Sequence, residues 1–205
     1  MAKVLVLNSS AKLKGSISRQ LVDEFIELAK SNGHQHEFTI RDLAHDPVPV
    51  LHSGIVDAIR TKPDDLTPEQ RTATALSEQL IGELKAADFI VIGAPIYNWS
   101  IPAALKAWID QVTRIGQTFR YGGTGVEGML GGKPALVILS RGGLYDSPER
   151  AAVDYQKPYL ATVLNVIGLK PTFVTAEGSL MGEDAFTPRL AAARAAVAEA
   201  AASLK

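Results

Sequence analysis

The sequence predicts an α/β fold: a doubly wound, five-stranded parallel sheet with helices on both faces. Three observations carry that prediction. Short β-rich runs alternate with longer stretches of helical period. Most of the short runs are apolar throughout, as strands buried on both faces are. No internal repeat, low-complexity linker or composition shift divides the 205 residues, so residues 1–205 read as one domain.

The elements follow in order. Lys3–Leu7 (KVLVL) is a buried strand that ends at polar Asn8-Ser9-Ser10. From about Ser18 to Asn32 the period becomes helical, with Leu21, Val22, Phe25, Ile26 and Ala29 on one face and Gly33 as the stop. His36–Leu43 alternates Phe38 and Ile40 with polar neighbours, the pattern of a strand near an edge. Residues 44–66 read as a long connection with room for one short helix. Thr67-Pro68-Glu69-Gln70 is a capping box with proline at the first helical position, ahead of a stripe of Ala73, Leu76, Leu80, Leu84 and Ala87. Phe89–Gly93 is the next buried strand. Leu105, Trp108, Ile109, Val112 and Ile115 form a further helical stripe, bulkier than one sheet face requires, which points to a second copy of the chain. Ala135–Leu139 and Thr172–Ala176 complete the strands, with a helix over Tyr159–Ile167 between them and an Ala-rich helix from about Pro188 to Leu204.

Composition excludes several classes of function. Lys+Arg number 21 and Asp+Glu 22, so the chain has neither the basic excess of a nucleic-acid binder nor the acidity of a solvating chain. Without cysteine there are no disulfides, thiolate nucleophiles or Cys-metal sites. No segment approaches the roughly 20 apolar residues that cross a bilayer, and the N-terminus lacks a secretory pattern. These features predict a cytoplasmic protein with no membrane partner.

In a doubly wound sheet, ligands sit beyond the carboxyl ends of the strands, at the point where strand order reverses. The loops after the buried strands therefore hold the candidate residues. After the first strand, the loop from Asn8 to Ser18 carries Ser9, Ser10, Ser16 and Ser18 into a helix N-terminus, a setting that binds phosphate. An ordinary serine-rich loop with Ser18 as N-cap fits the same residues. Pro95-Ile96-Tyr97-Asn98-Trp99 follows a central strand and offers planar apolar surface plus an amide, suited to a flavin or a base. Taken alone, the loop reads more simply as one whose aromatics Tyr97 and Trp99 cap the core. Ser140-Arg141-Gly142-Gly143 offers N–H donors on a backbone that can approach a ligand closely, or is a tight turn. Three such loops converge on one sheet edge, and that convergence counts for more than any one of them.

Other patterns carry nothing. Gly123, Gly125 and Gly128 match G-x-G-x-x-G but lack the strand–turn–helix context, and read as a hairpin or surface loop. Neither a phosphate-binding P-loop nor a G-x-S-x-G elbow is present. The histidines at 34, 36, 45 and 52 have no metal-ligand spacing, so no metal site is expected.

Taken together, the N-S-S-(x5)-S-x-S loop (Asn8 to Ser18), A-P-I-Y-N-W-S-I-P (94–102), T-F-R-Y (118–121), S-R-G-G (140–143) and A-E-G (176–178) resemble the FMN-dependent NADH-azoreductases. These are also described as NAD(P)H:quinone oxidoreductases and belong to the flavodoxin-like superfamily. The resemblance spans essentially the whole chain. It implies a homodimer with tightly bound FMN, NADH or NADPH as hydride donor, and ping-pong reduction of quinones and aromatic azo compounds, the latter cleaved to amines. By motif, Ser10, Ser16, Ile17 and Ser18 would hold the FMN phosphate. Ile96, Tyr97, Asn98 and Trp99 would flank the isoalloxazine, and Ser140, Arg141, Gly142 and Gly143 would hold its polar edge. No side chain is assigned a catalytic role, since the flavin carries the electrons. Ile96 and Trp99 stand where relatives often have Met and Phe. Val163 and Val166 stand where they often have Phe, which would weaken stacking of flat azo substrates if that segment lines the pocket. Two rival readings differ in class. A flavodoxin-type electron carrier that docks protein partners tends to be strongly acidic, against the −1 here. A phosphorylation-switch receiver needs an aspartate where Gly93-Ala94-Pro95 stands.

Overall fold

The computed structural model describes residues 1–123 and 125–205. The elements are β1 (Lys3–Asn8), α1 (Ile17–Ser31), β2 (Glu37–Asp42), α2 (Ser53–Arg60), α3 (Pro68–Ala86), β3 (Phe89–Pro95), α4 (Ala103–Val112), β4 (Phe119–Gly122), β5 (Gly125–Gly128), β6 (Lys133–Arg141), α5 (Pro148–Ala151), α6 (Lys157–Val166), β7 (Leu169–Glu177) and α7 (Glu183–Ser203). The main sheet has the order β2-β1-β3-β6-β7, parallel throughout. As the alternation of β2 predicts, that strand lies at an edge.

Alternation within the strands builds a core on each face. Val4 and Val6 of β1 pack with Leu21, Phe25 and Ile26 of α1 and with Val197 of α7. Leu5 and Leu7 point the other way, into Leu80 and Leu84 of α3, Trp108 of α4 and Leu160 of α6. β1 is therefore apolar from Val4 to Leu7 because both of its faces are covered.

Several boundaries differ from the sequence reading, each for a physical reason. The N-cap of α1 is Ser16, whose side chain accepts from the Arg19 N–H, not Ser18, which lies one full position inside the helix. The stripe of α4 does not project from the fold: Leu105, Trp108, Ile109 and Val112 are all buried within this one chain. Ile115 falls beyond the helix, which ends at Val112, and bridges to Phe119 instead. That stripe therefore offers no surface to a second copy. The capping box on α3 forms with both bonds present, but the helix is rotated so that Thr74 and Ser77 are buried while Ala73 and Leu76 are half-buried. The Ser77 hydroxyl is accommodated by donating to the Gln111 carbonyl at 2.5 Å. The last helix starts at Glu183 and carries Pro188 internally, near enough its start that one missing backbone bond is tolerated.

The G-x-G-x-x-G segment is a hairpin, β4 against β5; its Thr124 lies outside the described residues. The base of the hairpin is stitched to the α6–β7 junction. Leu130 N–H donates to the Ile167 carbonyl at 3.1 Å and Gly132 N–H to Gly168 at 2.8 Å. A Cβ on Gly128 would lie 2.2 Å from the Gly168 nitrogen, so the two backbones touch directly. The hairpin tip leaves Tyr121 and Val126 exposed.

Candidate active site

Strand order reverses between β1 and β3, and α1 begins just beyond that point. The approach of α1 to the sheet depends on Gly93 in β3: a Cβ there would meet Val22 Cγ2 at 2.9 Å and the Ser18 carbonyl at 3.4 Å. The Gly93 carbonyl accepts from both the N–H and the hydroxyl of Ser9, at 3.1 and 2.7 Å. The start of the serine loop is thereby fixed to the central strand.

The rest of the loop is held by Arg19, whose Nε and Nη2 both donate to the Ser10 carbonyl, at 3.2 and 2.7 Å. The same guanidinium pairs with both oxygens of Asp42 at 2.6 Å. The hydrogen bond from Arg19 holds the Asp42 carboxyl below its ordinary value, and the pair raises Arg19 in turn. With its carbonyl taken from behind, Ser10 turns its hydroxyl to Tyr97 Oη at 3.2 Å.

A cleft of about 210 Å³ opens here, lined by Ser10, Lys12, Ser16, Ile17, Tyr97 and Gly142 among others. The first turn of α1 has no acidic residue. The N–H groups of Ile17 and Ser18 reach no acceptor among the described residues. Unpaired helix N-terminal donors, two serine hydroxyls and the Lys12 ammonium make a cradle for a phosphate. The N–H of Gly142, on the far side of the cleft, is likewise untaken and can donate to a carbonyl-type acceptor; that of the adjacent Gly143, just outside the cleft lining, is untaken too. These are the groups that an FMN phosphate and the polar edge of its ring require.

The Tyr97–Ser100 segment forms a two-residue turn closed by bonds of 2.9 and 3.1 Å between its end residues. Its central residues, Asn98 and Trp99, have φ of 49° and 67°. For a tryptophan this left-handed backbone is an outlier that costs energy, the kind of strain that concentrates at functional sites. The turn leaves the Asn98 side-chain amide without a protein partner among the described residues and Trp99 59% exposed. Beside it lies a second cavity of about 680 Å³, lined by Tyr97, Asn98, Lys106, Tyr155, Pro158 and Tyr159 among others. Burial raises the Tyr159 phenol above its ordinary value, with Lys106 lowering it and Asp110 raising it. The protonated hydroxyl lines the cavity and can donate to an oxygen placed there. Tyr97 lines both spaces and joins them.

Among the residues expected from sequence, Ser10, Ser16, Ile17, Ile96, Tyr97, Ser140, Arg141 and Gly142 share the first cleft, and Asn98 lines the second. Ser18 is fully buried behind Ser16, its hydroxyl 3.3 Å from Ser16 Oγ; it faces the cleft through its backbone at most. The Arg141 guanidinium is turned away, into Asp154, Gln156 and Glu177. Trp99 and Gly143 line neither space, and nor do Val163 and Val166, whose helix contributes Pro158 and Tyr159. Lys12, Ser179 and Leu180 were not anticipated; the A-E-G motif immediately before Ser179 was the available signal. No cluster of metal-ligating side chains occurs among the described residues.

Comparison with known proteins identifies the family. A family model described as a flavodoxin-like fold matches residues 2–201. A curated FMN-dependent NADH:quinone oxidoreductase from Azotobacter vinelandii is 42% identical over 202 residues, covering 98% of this chain and 100% of its own. The enzyme of that name from Escherichia coli K12 is 47% identical over 199 residues, covering 96% and 97%. The chain belongs to the flavodoxin-like family of FMN-dependent NADH:quinone oxidoreductases. Among solved structures, an azoreductase from Bacillus anthracis superposes with a TM-score of 0.90 at 26% identity over 100% of both chains. An FMN-dependent NADH-azoreductase from the same species, solved in complex with FMN, gives 0.86 at 29% identity over 98% of each. No helix among the described residues is long and apolar enough to cross a membrane.

Proposed function

We propose that this chain, as a single domain, is an FMN-dependent oxidoreductase that reduces quinones with NADH or NADPH by a ping-pong course and also cleaves aromatic azo bonds to amines. The observation that carries the reading is the pairing of untaken donors. Those at the start of α1 suit a phosphate, and those of Gly142 and Gly143 suit a heterocycle edge, with an aromatic cavity joined to both by Tyr97.

FMN held there would supply the two-electron chemistry that links a nicotinamide donor to the acceptor. The protein's part is binding and electrostatics. Ser10, Ser16 and the N–H groups of Ile17 and Ser18 hold the phosphate. Ile96, Tyr97, Asn98 and Trp99 flank the ring, and Ser140, Gly142 and Gly143 hold its polar edge through main-chain groups. Donors aimed at that edge stabilise negative charge when it develops, as an oxyanion hole does. Tyr159 keeps its proton and orients a carbonyl or azo nitrogen. Nicotinamide and acceptor use one cavity in turn, and the reading places the enzyme in the cytoplasm as a homodimer. The α4 stripe is buried, whereas Tyr121 and Val126 on the hairpin are among the exposed apolar side chains that a second copy could cover.

Titration with FMN should quench flavin fluorescence at one per chain, and initial rates with NADH and menadione should give parallel double-reciprocal lines. Absence of quenching removes the reading; intersecting lines remove the shared cavity. Light scattering should return twice 21.9 kDa.

A further inference from the structure

The Arg141 side chain turns away from the cleft, and the proposed function leaves it without a task. It is 3% exposed and fully committed. Its Nε donates to Gln156 Oε1 at 3.0 Å and its Nη2 to Asp154 Oδ2 at 2.8 Å, while Nη1 lies 3.7 Å from Glu177 Oε2 at the end of β7. The guanidinium also sits 4.8 Å over the Tyr145 ring. Gln156, wholly buried, passes the connection on: its Nε2 donates to the Ala94 carbonyl in β3 at 3.0 Å. Asp154 Oδ1 accepts the N–H groups of Gln156 and Lys157, at 2.9 and 3.0 Å, where α6 begins. From there the contacts reach the strained turn. Tyr155 N–H donates to the Trp99 carbonyl at 3.1 Å, and the Ser100 hydroxyl to the Tyr155 carbonyl at 3.4 Å.

One buried cation therefore gathers the carboxyl ends of β3, β6 and β7 and clamps onto them a segment that has no regular structure of its own. We propose that Arg141 is a positioning residue for the electron acceptor. It holds residues 154–157, and through Tyr155 the Asn98–Trp99 turn, as a fixed wall of the 680 Å³ cavity. The inference rests on the quinone-reductase reading of that cavity.

The physical reason is preorganisation. A wall that samples several conformations lowers the fraction of molecules competent to bind, and the apparent dissociation constant rises by that same factor. Planar, forked Arg meets Asp154 and Gln156 through separate N–H groups in a fixed geometry, which a Lys point charge on a flexible stem does not reproduce. Buried ion pairs are poor stabilisers, and fixing one geometry is among their best-attested uses.

Two variants test this. Gln156→Met cuts the links to Arg141 Nε and to Ala94, and Gln156 lines neither cavity. Arg141→Lys keeps the charge and loses the fork. For each, three quantities are measured: FMN affinity by fluorescence quenching, KM and kcat with a benzoquinone, and iodide quenching of tryptophan in the chain before FMN is added. Trp108 is fully buried, so iodide reports on Trp99. The expected result is a rise in quinone KM of about tenfold, the worth of one charge-assisted hydrogen bond, with kcat changed less, FMN affinity kept and Trp99 more accessible to iodide. Loss of FMN affinity in Arg141→Lys with KM unchanged would overturn the proposal and make the guanidinium a cofactor ligand. Parental KM and parental iodide quenching in Gln156→Met would overturn it as well, and that variant decides alone if Arg141→Lys does not fold. If the parent protein neither binds FMN nor reduces quinone, the functional reading fails instead, and the iodide measurement still decides whether the strut exists.

Discussion

Gly93→Ala is the sharpest test of how the fold makes the phosphate cradle. The added methyl would stand 2.9 Å from Val22 Cγ2, 3.3 Å from Asn8 Oδ1 and 3.4 Å from the Ser18 carbonyl. Val22 is fully buried between α1 and the sheet, so its methyl has nowhere to turn, and the Ser18 carbonyl is helix backbone. The remaining response is for α1 to move off β3 at its N-terminal end, carrying the Ile17 and Ser18 N–H groups with it. Overpacking of this kind costs about 1–3 kcal/mol. For a chain of this length each kcal/mol lowers Tm by about 2–4 °C, so the expected drop is roughly 2–12 °C. FMN affinity should fall with it, because the donors that converge on the phosphate no longer share one centre. Calorimetry and FMN titration measure the two effects. Val22→Ala in the same background removes the nearest clash and should recover part of both losses. A Gly93→Ala protein with parental Tm and parental FMN affinity would refute the claim that this contact sets the cradle.

Three further outcomes are expected. Ser16→Ala should cost about 1 kcal/mol of stability through loss of the α1 cap and weaken FMN binding, whereas Ser18→Ala, whose hydroxyl meets only Ser16 Oγ, should weaken it less; fluorescence titration ranks them, and the reverse order contradicts the geometry. Asp42 is held low by Arg19, so its stabilising effect is present above the unfolded carboxylate value of about 3.9 and is lost as pH falls through the lower folded value. Urea midpoints across that acid range should decline less steeply in Asp42→Asn, and equal slopes would count against the pair. Trp99→Gly releases a left-handed backbone cost of about 1–2 kcal/mol, less roughly 0.5–1 kcal/mol for the freer unfolded chain. Its Tm should hold or rise while quinone KM increases, and a lower Tm would show that the turn is not strained.

The sheet was legible because a strand covered on both faces has to be apolar throughout, and Val4 to Leu7 could satisfy nothing else. The serine loop was legible because a helix N-terminus needs partners for its free N–H groups. Sequence could not say which serine caps: Ser16 and Ser18 both qualify, and the fold settles it by beginning the helix at Ile17. The α4 stripe misled because counting bulky residues does not reveal how deep a groove they fill; Trp108 disappears into the core shared with Leu80, Leu84 and Leu160. Arg141 misled in the opposite sense. Its motif marks a cofactor loop, yet its partners Asp154 and Gln156 come from a stretch with no pattern, and only the fold brings them within reach.

The contact between Gly128 and Gly168 sets a limit on how this protein can vary. Most tight places in a core involve side chains, and an enlargement on one side can be answered by trimming the other. Here backbone meets backbone, with a Cβ on Gly128 placed 2.2 Å from the Gly168 nitrogen and one on Gly168 placed 2.8 Å from the Gly128 carbonyl carbon. There is nothing on either side to trim. Neither position has a compensating partner, so a lineage could change one only by rebuilding the hairpin or the α6–β7 junction as a whole. The two segments can therefore drift in sequence along their lengths, but at this crossing they are inherited as a single piece.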